Sequence, residues 1–212
     1  MNTLLPLFTE AYQYWLTNSE VGQVHLRALL EELGQLSEPQ QIKANVPPVV
    51  RQHLGQAAEG HTIPELADLV STLQRVVSQL DWVTVPLDYV GEAFANNFAF
   101  APLAGPAVFT TNSTMYRSDK IFIGFSLQAP HTFYPAHKHD ALEFYGVLSG
   151  TALWQVGDGE WQAKPPGSFI FHDSEVIHAM QTQEDPLLTT FAWIGDIYSP
   201  PEMVYKQRHH ES

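Results

Sequence analysis

The sequence predicts an α+β chain in which a helical N-terminal region precedes a small antiparallel β-barrel. Three observations predict it. Apolar residues recur at helical spacing as far as about residue 80. After Val108 the chain breaks into short β-rich runs, separated by turn pairs such as Asp158-Gly159 and Pro166-Gly167. Inside that half, Tyr134 to Gly150 reads "YPAHKHDALEFYGVLSG", and ionisable side chains crowd a stretch that otherwise looks like buried strand.

The helical region is expected over residues 1–82. "LFTEAYQYWL" places Leu7, Phe8, Ala11, Tyr12, Trp15 and Leu16 at helical spacing. "SEVGQVHLRALLEELGQL" repeats the pattern through Val21, Val24, Leu29, Leu33 and Leu36, with Ser19 as a cap and Gly34 at its end. "IPELADLVSTLQRVVSQL" opens with Pro64 in the first turn and carries Leu66, Leu69, Val70, Leu73, Val76, Val77 and Leu80 on one side. These faces are apolar enough to pack on one another, on the second half, or on a second copy as a homodimer contact. Residues 83–107 are rich in Pro, Gly and Asn and read as a linker with the first extended segments. Residues 108–198 supply the barrel strands, from "VFTTNSTMYR" to "PLLTTFAWIG". Residues 199–212 form a tail, whose His209 and His210 read as solvated.

Composition narrows the function classes. The chain has 212 residues, a formal charge of −13 and no cysteine. An acidic chain argues against nucleic acid or an anionic membrane, whose phosphates need clustered Lys and Arg. Disulfides, thiolate metal sites and a cysteine nucleophile are excluded. No apolar run approaches the roughly 20 residues that span a bilayer. The start "MNTLLPLFTEAYQYW" lacks a basic segment, so a cytoplasmic location is the expectation.

Strand alternation puts Leu142, Phe144 and Gly146 on one face of "ALEFYGVLSG", and Glu143, Tyr145 and Val147 on the other. His137 and His139 share a face by the same rule. All four polar groups can point into one space, such as a barrel interior. Imidazoles and a carboxylate buried there without partners are expensive, and a divalent ion resolves the problem by taking nitrogen and oxygen together. His178, inside the apolar "EVIHAM", supplies a further ligand. Nitrogen and oxygen donors suit Fe, Mn, Zn, Co or Ni alike.

His137-x-His139-x3-Glu143-x6-Gly150 resembles the first motif of the cupins, and Gly167-x5-Asp173-x-Glu175-x2-His178 resembles the second. The matches depart at turn positions. Asp173 and Glu175 replace the usual Pro and Gly, Thr182 stands where Asn often falls, and His131 replaces a leading Gly. The resemblance covers roughly residues 105–197. It implies a jelly-roll barrel holding one divalent transition metal through His137, His139, Glu143 and His178.

The surroundings, with Tyr134 before the first ligand and Tyr145 after Glu143, look like the bacterial cupin-type lyases that cleave dimethylsulfoniopropionate into dimethyl sulfide and acrylate. That resemblance implies a carbon–sulfur lyase acting on a small zwitterionic carboxylate, with Tyr145 as general base and Tyr134 beside it. The chemistry is independently reasonable. A metal on the carboxylate spreads charge developing at the adjacent carbon, and it lowers the pKa of a nearby phenol. A sulfonium offers no N–H, so aromatic faces suit it. Trp154, Trp193, Tyr134, Phe133, Phe169 and Phe171 are available, and His172 is a further candidate contact. Two alternatives remain open at this level. One is another metal-dependent cupin enzyme, a dioxygenase, lyase or isomerase on a different small carboxylate. The other is a non-catalytic binding cupin.

Overall fold

The computed structural model describes residues 3–106 and 114–204, with residues 88 and 89 in backbone only. Most of "VFTTNSTMYR", and His209 and His210, therefore lie outside the described residues. Four helices come first: α1 (Leu4–Asn18), α2 (Gln23–Leu33), α3 (Pro48–Glu59) and α4 (Pro64–Val76). Pro48 and Pro64 both occupy first-turn positions, where a missing N–H is harmless. The expected capping role of Ser19 is corrected. Its backbone N–H closes α1 on the Trp15 carbonyl, and α2 starts only at Gln23, behind Gly22 at φ 62°. Gly22 is also crowded, because a Cβ there would meet Phe144 Cε1 at 2.8 Å. Val21 and Val24, expected on the apolar stripe, are 46% and 78% exposed instead.

Two short helices follow, α5 (Leu87–Val90) and α6 (Glu92–Ala95). They fall in the stretch expected to hold a linker and the first extended segments. So does the first long strand, β1 (Phe98–Gly105), which pairs antiparallel with β3 (Ile121–Gln128). Between them lies β2 (Tyr116–Arg117). The remaining strands are β4 (Phe133–Lys138), β5 (Leu142–Ser149), β6 (Ala152–Val156), β7 (Gln162–Lys164), β8 (Phe169–His172), β9 (His178–Thr182), β10 (Leu187–Ile194) and β11 (Glu202–Met203). They form two sheets, ordered β2-β1-β3-β10-β5-β8 and β11-β4-β9-β6-β7. From β3 onwards the chain alternates between the sheets, except in the β6–β7 hairpin, which is the jelly-roll path of a cupin.

The helices cover the outer face of the six-stranded sheet. Ile121, Ile123, Phe125, Phe144, Leu148, Leu188 and Ala192 join Phe8, Trp15, Leu29, Leu54 and Leu73 in one core. The inner face carries Phe122, Tyr145, Val147, Phe191 and Trp193 into a second core inside the barrel. With both faces buried, β3 and β10 have no exposed residue and are largely apolar, interrupted by the buried polar residues Ser126, Gln128, Thr189 and Thr190. The expected alternation in β5 holds: Phe144 faces the helices, and Glu143, Tyr145 and Val147 face inward. Gly146 is where α1 approaches most closely, since a Cβ there would lie 2.0 Å from Trp15 Cη2.

The departures from the cupin motifs leave the turns intact. His131 and Glu175 take up positive φ, 52° and 63°, in place of glycine. Thr182 ties its turn directly: Thr132 N–H donates to its Oγ1 (2.9 Å), which donates to the Ala129 carbonyl (2.6 Å).

Candidate active site

Register explains why four distant residues meet. His137 on β4 is the cross-strand partner of His178 on β9. Glu143 on β5 sits between Trp193 of β10 and His172 of β8. The ligand atoms of His137, His139, Glu143 and His178 lie within 4.8 Å of one another, and all four residues are buried. Donors about 2.0–2.2 Å from a shared ion stand up to roughly 4 Å apart, so a slight contraction closes the set.

Each imidazole is aimed by its backbone. His137 Nδ1 is 2.8 Å from the Pro135 carbonyl, His139 Nδ1 2.9 Å from that of Ala141, and His178 Nδ1 2.9 Å from that of Val176. A carbonyl only accepts, so Nδ1 carries the proton in all three rings, and Nε2 is free to offer a lone pair. His139 and His178 each bring Nε2 to 3.0 Å from Glu143 Oε2. One proton on His139 can bridge its pair, but His178 Nε2, buried and equally close to Glu143, makes no aligned hydrogen bond among the described residues. Lone pairs converging on a carboxylate need a cation, and these residues fit a divalent metal.

Each of these rings is also backed by an aromatic one. Tyr134 stacks on His137 (4.1 Å, 10°), Trp193 lies over His139 (4.5 Å, 34°), and His172 stacks on His178 (4.0 Å, 12°). Trp193 Nε1 donates to Glu143 Oε1 at 2.6 Å, leaving Oε2 to face the imidazoles. The electrostatics follow from burial and these partners. Burial pushes the Glu143 carboxyl up, but the His139 and His178 rings outweigh it and hold it well below the usual range. Burial disfavours charge on His139, yet Glu143 raises its pKa. Burial and the neighbouring His178 push His137 well down and take His172 to about 3. Burial, reinforced by Glu143, pushes the Tyr145 phenol well above its ordinary value. A cation among the ligands would act in the opposite sense on Tyr145.

Glu143, Tyr145, Tyr134 and Trp193 line a cavity of about 520 Å³. Its walls are otherwise mainly aromatic, with Phe98, Phe100, Phe122 and Phe191, and Ser126 adds a hydroxyl. Val83 to Pro86 and Pro200-Pro201 also border it. No described lining residue is a Lys or Arg. Of the sequence-nominated aromatics, Trp154 does not line this cavity. It packs edge-on against Tyr145 at 5.7 Å. Phe169 and Phe171 pack towards the helices, and Phe133 is 49% exposed. Sequence reasoning missed Phe98, Phe100, Phe122 and Phe191, because nothing distinguishes an inward Phe that walls a cavity from one that fills a core.

A profile of the dimethylsulfoniopropionate lyase family matches residues 22–189. The chain belongs to that family. Its members are carbon–sulfur lyases. A protein of Cereibacter sphaeroides, named as a candidate dimethylsulfoniopropionate lyase DddL, is 27% identical over 177 residues, 82% of this chain and 72% of that protein. The dimethylsulfoniopropionate lyase DddQ of Ruegeria pomeroyi is 32% identical over 75 residues, 35% of this chain and 37% of DddQ. Among solved structures, a chain from the crystal structures of the DMSP lyases RdDddP and RnDddQII superposes with a TM-score of 0.71 at 25% identity. The match covers 96% of this chain and 99% of that one. The crystal structure of DddQ from R. pomeroyi gives the same TM-score at 22% identity, covering 92% and 96%. Among the described residues of this lyase-family chain, no helix is long and apolar enough to cross a membrane.

Proposed function

We propose that this chain cleaves dimethylsulfoniopropionate to dimethyl sulfide and acrylate by metal-dependent β-elimination, with Tyr145 as the general base. The observation that carries this reading is the placement of Tyr145 on the cavity wall beside Glu143, next to a buried cradle of three imidazoles and one carboxylate. His137, His139, Glu143 and His178 would hold one divalent transition metal. Bound there, the ion supplies a Lewis acid for the substrate carboxylate and for negative charge developing on the carbon next to it.

The chain's own residues account for the remainder. Backbone carbonyls fix the three imidazole tautomers, and the Trp193 indole N–H fixes the Glu143 carboxylate. Tyr145, rigid on β5, takes the proton from that carbon. Its electron pair forms the new double bond, and the C–S bond breaks with its electrons moving onto sulfur, so the leaving group needs no acid. The sulfonium has no N–H to donate and finds aromatic rings in Phe191 and Trp193, while Tyr134, stacked between Phe94 and His137, presents its edge to the cavity. With no cationic side chain among the described lining residues, the cavity stays hospitable to a positive head group.

The test is direct. The purified chain is stripped of metal and reloaded separately with iron, manganese, cobalt, nickel or zinc, and dimethyl sulfide is measured in the headspace over dimethylsulfoniopropionate. Release that appears on reloading is the expected result. Absence of dimethyl sulfide with every metal at full occupancy would overturn the reading.

A further inference from the structure

Elimination at Glu143 uses only one end of the cavity. A volume of about 520 Å³ falls in the range that holds drug-sized ligands, far larger than a propionate bearing a dimethylsulfonium. Register orders the walls in rungs. Glu143 pairs with Trp193, Tyr145 with Phe191, and Val147 with Thr189, which in turn pairs with Ser126. Ser126 thus lies two rungs from Glu143, roughly 13 Å along the strands.

At that rung the aromatic chamber turns polar. Ser126 Oγ and Thr189 Oγ1 are buried and 2.6 Å apart, and the Ser126 side chain borders the cavity. One hydroxyl donates to the other, which leaves the pair a second O–H and unused lone pairs. Among the described residues, neither side chain makes another hydrogen bond. Two alkyl groups would pack here more cheaply, so the spare hydrogen-bonding capacity marks a place where a ligand group can bond.

We propose that this pair is a specificity subsite, and that the chain also cleaves 3-sulfonio carboxylates in which one S-methyl is replaced by a longer arm ending in a hydroxyl. This inference rests on the elimination reading and extends its substrate class. With the carboxylate at the Glu143 end, the dimethyl head reaches only the Tyr145–Phe191 rung, whereas an arm several carbons long reaches Ser126. The step balances as before. The α-hydrogen leaves as a proton to the base, its electrons form the acrylate double bond, and the C–S pair goes to sulfur. The product is a neutral methyl thioether carrying the arm.

The experiment uses the metal-loaded full chain and three substrates: dimethylsulfoniopropionate, its hydroxyalkyl-arm analogue and an alkyl-arm analogue of equal length. Acrylate release gives kcat/KM, and calorimetry gives binding. Both arm analogues should be turned over, with the hydroxyl arm preferred about five-fold, the scale of one neutral hydrogen bond. Ser126→Ala should erase that preference, and Thr189→Val should reduce it. Each variant is first checked for wild-type melting behaviour, and Thr189→Val decides the matter if Ser126→Ala misfolds. Acrylate from dimethylsulfoniopropionate but from neither arm analogue would overturn the proposal, as would a hydroxyl preference that is absent in the wild type or survives both variants. No acrylate from any substrate would sink the elimination reading instead. Calorimetry then judges the subsite alone: tighter binding of the hydroxyl arm that Ser126→Ala abolishes supports it, and equal binding of both arms overturns it.

Discussion

Trp193→Phe isolates one hydrogen bond in the site. The indole Nε1 donates to Glu143 Oε1 at 2.6 Å, and Glu143 is only 2% exposed, so bulk solvent does not compete for that oxygen. A hydrogen bond to a charged group contributes about 1.5–3 kcal/mol, and the orphaned oxygen carries that loss. The smaller ring adds about 1 kcal/mol of lost packing, while a Phe can still lie over His139. A total near 3 kcal/mol corresponds to a melting temperature lower by about 6–12 °C in a chain of this size. The freed carboxylate also loses its aim, so metal affinity should fall by about 10–100-fold. Thermal melts of metal-free protein and chelator competition on loaded protein measure the two effects separately. A variant that melts within a degree of wild type and holds metal equally tightly would refute the positioning role of Trp193.

Gly146→Ala forces a methyl into Trp15, which is pinned by its hydrogen bond to the Gly167 carbonyl (3.0 Å) and its stack on Phe169. Urea unfolding should show a loss of about 1–3 kcal/mol. Tyr134→Ala removes the ring stacked on His137 and widens the cavity, and it should lower kcat/KM about ten-fold or more while metal analysis shows the ion retained. His131→Gly relieves a left-handed residue and should stabilise the fold by up to about 1 kcal/mol in the same assay. His172 stays neutral in the fold with a pKa of about 3, whereas in the unfolded chain it takes up a proton near 6.5. The unfolded state therefore binds more protons between those values, and metal-free stability should fall as the pH drops through that window, by up to about 1.4 kcal/mol per pH unit. His172→Phe should make the slope measurably shallower.

The helical half, the strand runs and the convergence of His137, His139, Glu143 and His178 were legible because each leaves a periodic or chemical trace. Leu66, Leu69 and Leu73 repeat with the helix, and Glu143 and Tyr145 alternate with the strand. What stayed hidden depends on tertiary partners. Val24 fits the apolar stripe of α2 yet stands 78% exposed. Residues 83–107 read as a linker with the first extended segments, but nothing in their Pro, Gly and Asn content announces the two short helices there or the pairing of Phe98–Gly105 with β3. His131 and Glu175 hold positive φ without the glycine that would announce it. The bond from Trp193 to Glu143 spans 50 residues and depends on register, which spacing alone does not supply.

Under the proposed mechanism, Tyr145 abstracts a carbon-bound proton beside a metal held by His137, His139, Glu143 and His178. Tyr145→Phe, loaded to one metal per chain and assayed for dimethyl sulfide, tests it most directly. The variant should keep full metal occupancy and melt within a few degrees of wild type, with turnover reduced by at least about a hundred-fold. Turnover within a few-fold of wild type at equal metal content would contradict it.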